Sequence, residues 1–478
     1  MRRLGITIGL LLAIAASAHP VARQASRDDA RLDRLSAVIT AQMKELGVPG
    51  VALGVLENGV VSTRTFGVTN VDHPLPVTDA TLFQIGSISK TFTGTLMMLL
   101  VEQGHVNLLA PIVTYVPTFA VKDPVATKRA SVRDTLTHMG GWEGDLFVDE
   151  GLGDDALKRG VARMSTLEQV APAGKVWGYN NAGFYVAGRV IEVATKKTYE
   201  QALGELVIKP LGLTNTFIMP TDALTRRYAV GHDGLPPRVI GPWHIGRVAH
   251  PAGGVFTDIR DLLKYARFHL GSGTADDGTR VLSQTSLAQM HKAVAPKLGS
   301  SDAMAITWHV TKPGNTEVLF HAGGTNGQIS YLALVPSKQL AIALLTNASA
   351  GSPLNTEVFK AALREYAGVT IVDPVARDGS AAERLAFVGT WRRQFQDVVI
   401  SANGNALTLQ VVPRMAALNG TVPPAGPPAP VSLASGGGLM FTAGARAGTR
   451  IDAVPQDDGS IGWLRVGSRI HRRVPSAK

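Results

Sequence analysis

Cysteine is absent from all 478 residues, so the chain forms no disulfide and offers no thiolate to a metal, a substrate or a lipid anchor. A chain this long buries enough apolar surface to do without such staples. Two motifs that would mark other hydrolases are also missing: neither a Gly-x-Ser-x-Gly elbow nor a His-Glu-x-x-His pair occurs. Their absence removes an α/β-hydrolase and a zinc peptidase from consideration, and nothing in the sequence calls for a metal or another cofactor. The formal charge is +10, but Lys and Arg are spread without a block, so no nucleic-acid partner is expected. There is no internal repeat, and 45% hydrophobic content is that of a folded globular chain rather than a disordered or polytopic one.

What is there begins with an apolar run at 4–16, which follows Arg2 and Arg3 and ends at Ala16-Ser17-Ala18. It is shorter than the ~20 residues of a membrane-spanning helix and reads as a signal peptide, residues 1–18, cleaved after Ala18. The expected location is therefore the periplasm or the medium, with no stable membrane span.

Leu32, Leu35, Val38, Ile39, Met43 and Leu46 then share one helical face, closed by Gly47. Residues 51–56 and 60–66 are strand-like and flank Asn58-Gly59, a two-residue hairpin signal. A Pro- and Gly-interrupted helical middle follows, with Ser131 as a cap and helices expected over 199–213 and 258–270. From there the pattern turns to strands at 305–311, 317–321, 328–336 and 339–346, closed by a helix at 355–366. The expected fold is α+β: an antiparallel sheet flanked by helices, with a mostly helical subdomain, over residues 27–370. A polar linker is expected at 371–384, and at 385–476 a small all-β barrel or sandwich, with strands at 397–401, 406–412 and 461–466.

Chemistry concentrates at Leu82-Phe83-Gln84-Ile85-Gly86-Ser87-Ile88-Ser89-Lys90. An extended approach and a Gly86 turn lead into a helix that is apolar on nearly every side and so belongs inside the protein. Ser87 opens that helix, and Lys90 follows one turn later on the same face. Burial and the positive end of the helix dipole both disfavour the lysine's charge, and a neutral amine there can take the proton of Ser87 and make it a nucleophile. Tyr179-Asn180-Asn181 is the one Tyr-x-Asn of the chain. Tyr179 beside such a lysine can share the proton traffic, and Asn181 can hold the lysine and a substrate amide. His321-Ala322-Gly323-Gly324 stands at the end of a strand, where the N–H groups of Ser87 and Gly324 can together form an oxyanion hole.

Ser87-x-x-Lys90, Tyr179-x-Asn181 and His321-x-Gly323, in this order, resemble the serine β-lactamase and penicillin-binding-protein superfamily. The resemblance is to its class C β-lactamase-like branch, which also holds family VIII carboxylesterases and D-stereospecific peptidases. Supporting stretches are Leu136-Thr137-His138, Pro210-Leu211-Gly212-Leu213-Thr214-Asn215-Thr216, and Pro251-Ala252-Gly253-Gly254 leading into Asp261-Leu262. The resemblance implies a β-lactamase/transpeptidase-like fold with Ser87 acylated, Lys90 and Tyr179 as base and acid, Asn181 organising substrate and lysine, and Ser87 and Gly324 amides as the oxyanion hole. The tail at 385–476 is similar to lipocalin-like tails of some of these hydrolases.

One departure bears on substrate. Where β-lactamases carry Lys-Thr-Gly or a close relative, this chain has His321-Ala322-Gly323. A lysine is a fixed cation for a substrate carboxylate, whereas a histidine near its reference value of about 6.5 is mostly neutral at pH 7. The expected activity is thus cleavage of a small ester, amide or short peptide through an acyl-enzyme. The alternatives are a class C-type β-lactamase and an acyl-binding or penicillin-sensor domain without turnover. Either Lys90 or Tyr179 is the main base, and the other histidines read as ordinary surface or core residues.

Overall fold

The computed structural model describes residues 18–415 and 421–475, so the expected leader, apart from Ala18, lies outside the described residues. The Asn58-Gly59 hairpin forms with φ of 50° and 83°, values that these two residue types accept readily. Its first strand, Gly50–Glu57, is flanked on the other side by Leu340–Thr346, from Val51 opposite Thr346 to Glu57 opposite Leu340. Gln328–Val335 and Val318–Thr325 continue the sheet, and three short strands complete eight, all antiparallel.

The period of two along Gly50–Glu57 sends its side chains to two cores. Val51, Leu53 and Val55 pack with Leu32, Leu35 and Ile39 of the helix Ala18–Leu46 and with Leu354 and Val358 of the helix Gly351–Ala362. Ala52 and Leu56 join the opposite core, built on the helices Ser89–Glu102 and Ile259–Leu270. A Cβ at Gly54 would come within 2.7 Å of Leu263 Cδ1, so this glycine sets how closely Ile259–Leu270 lies on the sheet. Ser89–Glu102 has no side-chain N-cap, a loss of about 1 kcal/mol. Its buried Phe92, Leu96, Met97, Met98 and Leu100, at roughly 1.5–3 kcal/mol each, far outweigh that. Tertiary burial rather than capping therefore fixes this helix.

Two strand expectations are corrected. Instead of one strand at 305–311 there are two, Ala303–Met304 and His309–Thr311, because Thr307 takes φ of 64° in a turn where Ala305 N–H donates to the Trp308 carbonyl. The strand expected at 317–321 runs from Val318 to Thr325, which puts His321 inside it rather than at its end and takes in Gly323 and Gly324 as well.

Among the described residues, the C-terminal part is an antiparallel eight-stranded ring. Ala429–Ala434 pairs with both Ala406–Pro413 and Leu439–Phe441, and Gly389–Arg393 pairs with both Gln396–Asn403 and Arg469–Arg473. Closure removes the open edges that a lone sheet would expose. Trp391, Val398, Ile400, Leu407, Leu409 and Leu464 are among the side chains that fill it. The polar stretch before it carries Ala376–Arg377, paired with Ala434 and Leu433, and the helix Ala381–Leu385 under a Ser380/Glu383 capping box. Among the described residues no helix is long and apolar enough to cross a membrane.

Candidate active site

Gly86 and Gly323 bring the Ser87 turn against the strand Val318–Thr325. A Cβ on Gly323 would lie 1.9 Å from the Ile85 carbonyl oxygen, and one on Gly86, at φ of 48°, would lie 2.6 Å from the Gly324 nitrogen. Only glycine permits this approach, and it leaves Ser87 and Gly324 bordering one cleft. Ser87 sits in a 3-10 turn, Gly86–Ile88, and the α-helix starts at Ser89, so the serine precedes the helix rather than opening it. The one-turn spacing survives: Lys90 Nζ is 3.0 Å from Ser87 Oγ.

Lys90 has two further partners, Asn181 Oδ1 at 2.8 Å and the Ala252 carbonyl at 2.7 Å. Both oxygens can only accept, so a neutral amine donates its two hydrogens to them and turns its lone pair toward the Ser87 hydroxyl. The lysine is fully buried, and burial, followed by the nearby Arg469 charge, holds it well below the ordinary lysine range, with Asp145 opposing. Tyr179 moves the other way, pushed up to about 12 by burial against the pull of its hydrogen bond with Ser87. The two shifts run in opposite directions, and each favours the uncharged form, amine for Lys90 and phenol for Tyr179.

Asn181 begins the helix Asn181–Thr195, which Asn180 caps by accepting from Gly183 N–H at 2.8 Å. Tyr179, one residue outside that cap, is held over the cleft between His138, stacked at 4.3 Å, and the more distant His321, edge-on at 6.3 Å. His138 and His309 are not scattered: buried His138 and His321 and half-buried His309 cluster behind Tyr179. His321 Nδ1 donates to the Ala322 carbonyl at 2.7 Å, leaving Nε2 unpartnered as a lone pair. Burial and then Lys90 push its imidazole down to about 3, so it is neutral across physiological pH. Among the described residues no group of three His, Asp or Glu side chains is arranged to hold a metal ion.

The cleft holds about 1430 Å³ and is lined by Ser87, Tyr179, Asn181, His321, Gly323 and Gly324, with Lys90 behind Ser87. All seven residues singled out by sequence thus meet at one place. The opposite wall was not foreseen. The barrel supplies Arg450, Arg465 and Arg469, and the helical part supplies Asp149 and Glu150. Arg469 makes two bonds to Asp145, Nε to Oδ2 at 2.9 Å and Nη2 to Oδ1 at 2.8 Å, and Asp145 Oδ1 also accepts from Asn181 Nδ2 at 3.2 Å. Arg393, also from the barrel, reaches Glu143 at 2.7 Å and Asp145 at 3.0 Å. Burial alone would raise Asp145, but Arg469 and then Arg393 hold it below the usual carboxylate range. Two acids in the Gly-rich stretch 140–145 were the one visible sign of this cluster; nothing marked Arg469.

Comparison with known proteins agrees with this geometry. The family described as Beta-lactamase matches residues 35–365. "Penicillin-binding protein 4" of Amycolatopsis lactamdurans is 35% identical over 362 residues, covering 73% of this chain and 94% of that protein. The crystal structure of a class C beta-lactamase from Rhodobacter sphaeroides superposes with a TM-score of 0.57 at 26% identity, over 68% of this chain and 99% of that one. The crystal structure of SurE superposes with a TM-score of 0.74 at 23% identity, over 94% of this chain and 100% of that one, a similarity of fold that takes in the barrel as well. The family and fold are those of serine hydrolases that work through an acyl-enzyme. The chain belongs to the beta-lactamase family.

Proposed function

We propose that this protein is an exported serine hydrolase that cleaves a small ester, amide or short peptide through an acyl-enzyme on Ser87. The observation that carries the reading is Lys90 Nζ, 3.0 Å from Ser87 Oγ, with its other two partners restricted to accepting. Lys90 takes the Ser87 proton as Oγ bonds to the substrate carbonyl carbon, and the new oxyanion lies between the Ser87 and Gly324 N–H groups. The leaving alcohol or amine departs with a proton relayed through Tyr179, whose raised value favours the phenol as donor over a phenolate base. Water then repeats the sequence on the ester carbonyl and frees Ser87. Small neutral acyl substrates are favoured because His321 offers no fixed cation where a carboxylate would need one. Export rests on the leader at 1–18.

A second reading, β-lactam hydrolysis, is favoured by the family match and by the similarity to a penicillin-binding protein. Turnover of p-nitrophenyl acetate and of a chromogenic cephalosporin by wild type and Ser87→Ala separates the two. Ester turnover without cephalosporin turnover, lost in the variant, is the expected result. Fast cephalosporin turnover, also lost, identifies a β-lactamase. One equivalent of product with a lasting mass adduct on Ser87 identifies an acyl-binding sensor.

A further inference from the structure

Asn181 can face Lys90 with its oxygen or with its NH2, and only the oxygen accepts from the amine. Asp145 decides which: its Oδ1 lies 3.2 Å from Asn181 Nδ2, and a carboxylate accepts only, so the amide oxygen is left for Lys90 at 2.8 Å. Asp145 is in turn gripped in the fork of Arg469. Arg469 directly follows the Gly467-Ser468 turn, whose φ of 55° and 67° join the strands Ile461–Val466 and Arg469–Arg473 in a tight two-residue hairpin. That hairpin is seated on the Tyr179 motif three ways. The Ser468 carbonyl accepts from Tyr179 N–H at 2.8 Å, the guanidinium lies 4.8 Å from the Tyr179 ring centre, and Ile470 leaves no room for a Cβ on Gly178.

We propose that Arg469 is a positioning residue for the Ser87–Lys90 pair, acting through Asp145 and Asn181, and that the docked barrel is thereby a working part of the site. The proposal rests on the reading of Ser87 as nucleophile and Lys90 as base. The charged and titratable groups facing Lys90 and Tyr179 are Arg469, Asp145, His138, His309 and His321, and burial holds all three histidines in the neutral form. Arg469 and Asp145 therefore balance each other beside the amine.

The test is kcat, KM and their pH profiles for p-nitrophenyl acetate in the full-length protein, using Arg469→Gln, Asp145→Asn, the double variant and Ser87→Ala. Arg469→Gln is expected to lower kcat about 10²-fold, with KM within about threefold. It removes one positive charge beside Lys90 and leaves the Asp145 carboxylate to Arg393 alone, so the acid limb of kcat moves to higher pH. Asp145→Asn leaves the guanidinium uncompensated and moves that limb to lower pH; the double variant returns it toward the wild-type position. A purely structural role does not give shifts of opposite sign that cancel. If Arg469→Gln does not fold, Arg469→Lys takes its place: it keeps the charge and loses the fork, so kcat falls while the limb stays. Unmoved limbs with kcat within about threefold of wild type, while Ser87→Ala is inactive, overturn this proposal alone. Turnover that survives Ser87→Ala overturns the underlying reading and this proposal with it.

Discussion

Ser87 and Lys90 are three residues apart on one turn, whereas Asp145 and Arg469 meet across 324 residues of chain, from two separately cored parts of the molecule. The two walls of the cleft are consequently held by different forces. The Ser87 wall is set by a helix buried on nearly every side, and its geometry is as stable as the main core. The barrel wall is set by docking: two arginines on two acids, Trp463 Nε1 donating to the Val170 carbonyl at 2.9 Å, and Arg465 donating to the Trp177 carbonyl at 3.2 Å. Partly buried ion pairs of this kind specify a geometry more than they stabilise it. The chemistry should thus be resident in one wall and its alignment in the other.

The largest effect should come from the first wall. Lys90→Met is expected to lower kcat/KM about 10³-fold, or about 4 kcal/mol, without displacing the barrel. It should also change how stability depends on pH. Lys90 is held low in the folded chain and returns to about 10.4 when unfolded, so between those values the unfolded state binds the extra proton. Stability therefore rises with pH through that window, and urea titrations at several pH values should show a shallower rise in Lys90→Met. An identical slope would mean that Lys90 is protonated in the fold.

The second wall is broken by emptying the barrel. Trp391 is fully buried, with Nε1 donating to the Phe387 carbonyl at 2.9 Å, and Trp391→Ala should cost the barrel about 3–5 kcal/mol. Thermal unfolding followed together with ester turnover should show activity lost in the barrel's own, lower transition. Activity that persists until the main sheet melts would make the barrel wall dispensable. The smallest change sharpens substrate choice: His321→Lys adds a cation on the strand beside Ser87, opposite the barrel's arginines, and should raise kcat/KM for carboxylate-bearing esters relative to neutral ones about tenfold. Equal ratios in wild type and variant would remove His321 from substrate selection.

The legibility of the two walls differs for a physical reason. Ser87 and Lys90 could be placed because helical spacing is local and because the apolar run behind them announces burial. Tyr179-x-Asn181 and His321-x-Gly323 were legible as motifs next to strand and turn signals, although the strand carrying His321 runs four residues further than its apolar pattern. The missing part is Ala322 to Thr325, where glycines pair in the ladder without contributing the alternating side chains on which strand reading depends. In the barrel, 397–401, 406–412 and 461–466 are short runs rich in Val, Ile and Leu and read as strands. Arg469–Arg473 does not, because its outward residues are arginines bonded to other elements and its run is five residues long.

The sequence by itself determined the local chemistry: a serine and a lysine one turn apart where a helix too apolar to lie at the surface begins, glycines where two backbones must touch, and a neutral histidine in place of a fixed cation. Periodicity and short-range geometry suffice for those. Only the tertiary structure decided that Asn181 shows its oxygen to Lys90, that three histidines gather behind Tyr179, and that the barrel closes the cleft with Arg469. Those outcomes depend on which distant charges meet once water is excluded, and an arginine on a short strand carries no mark in the sequence of the carboxylate it will find.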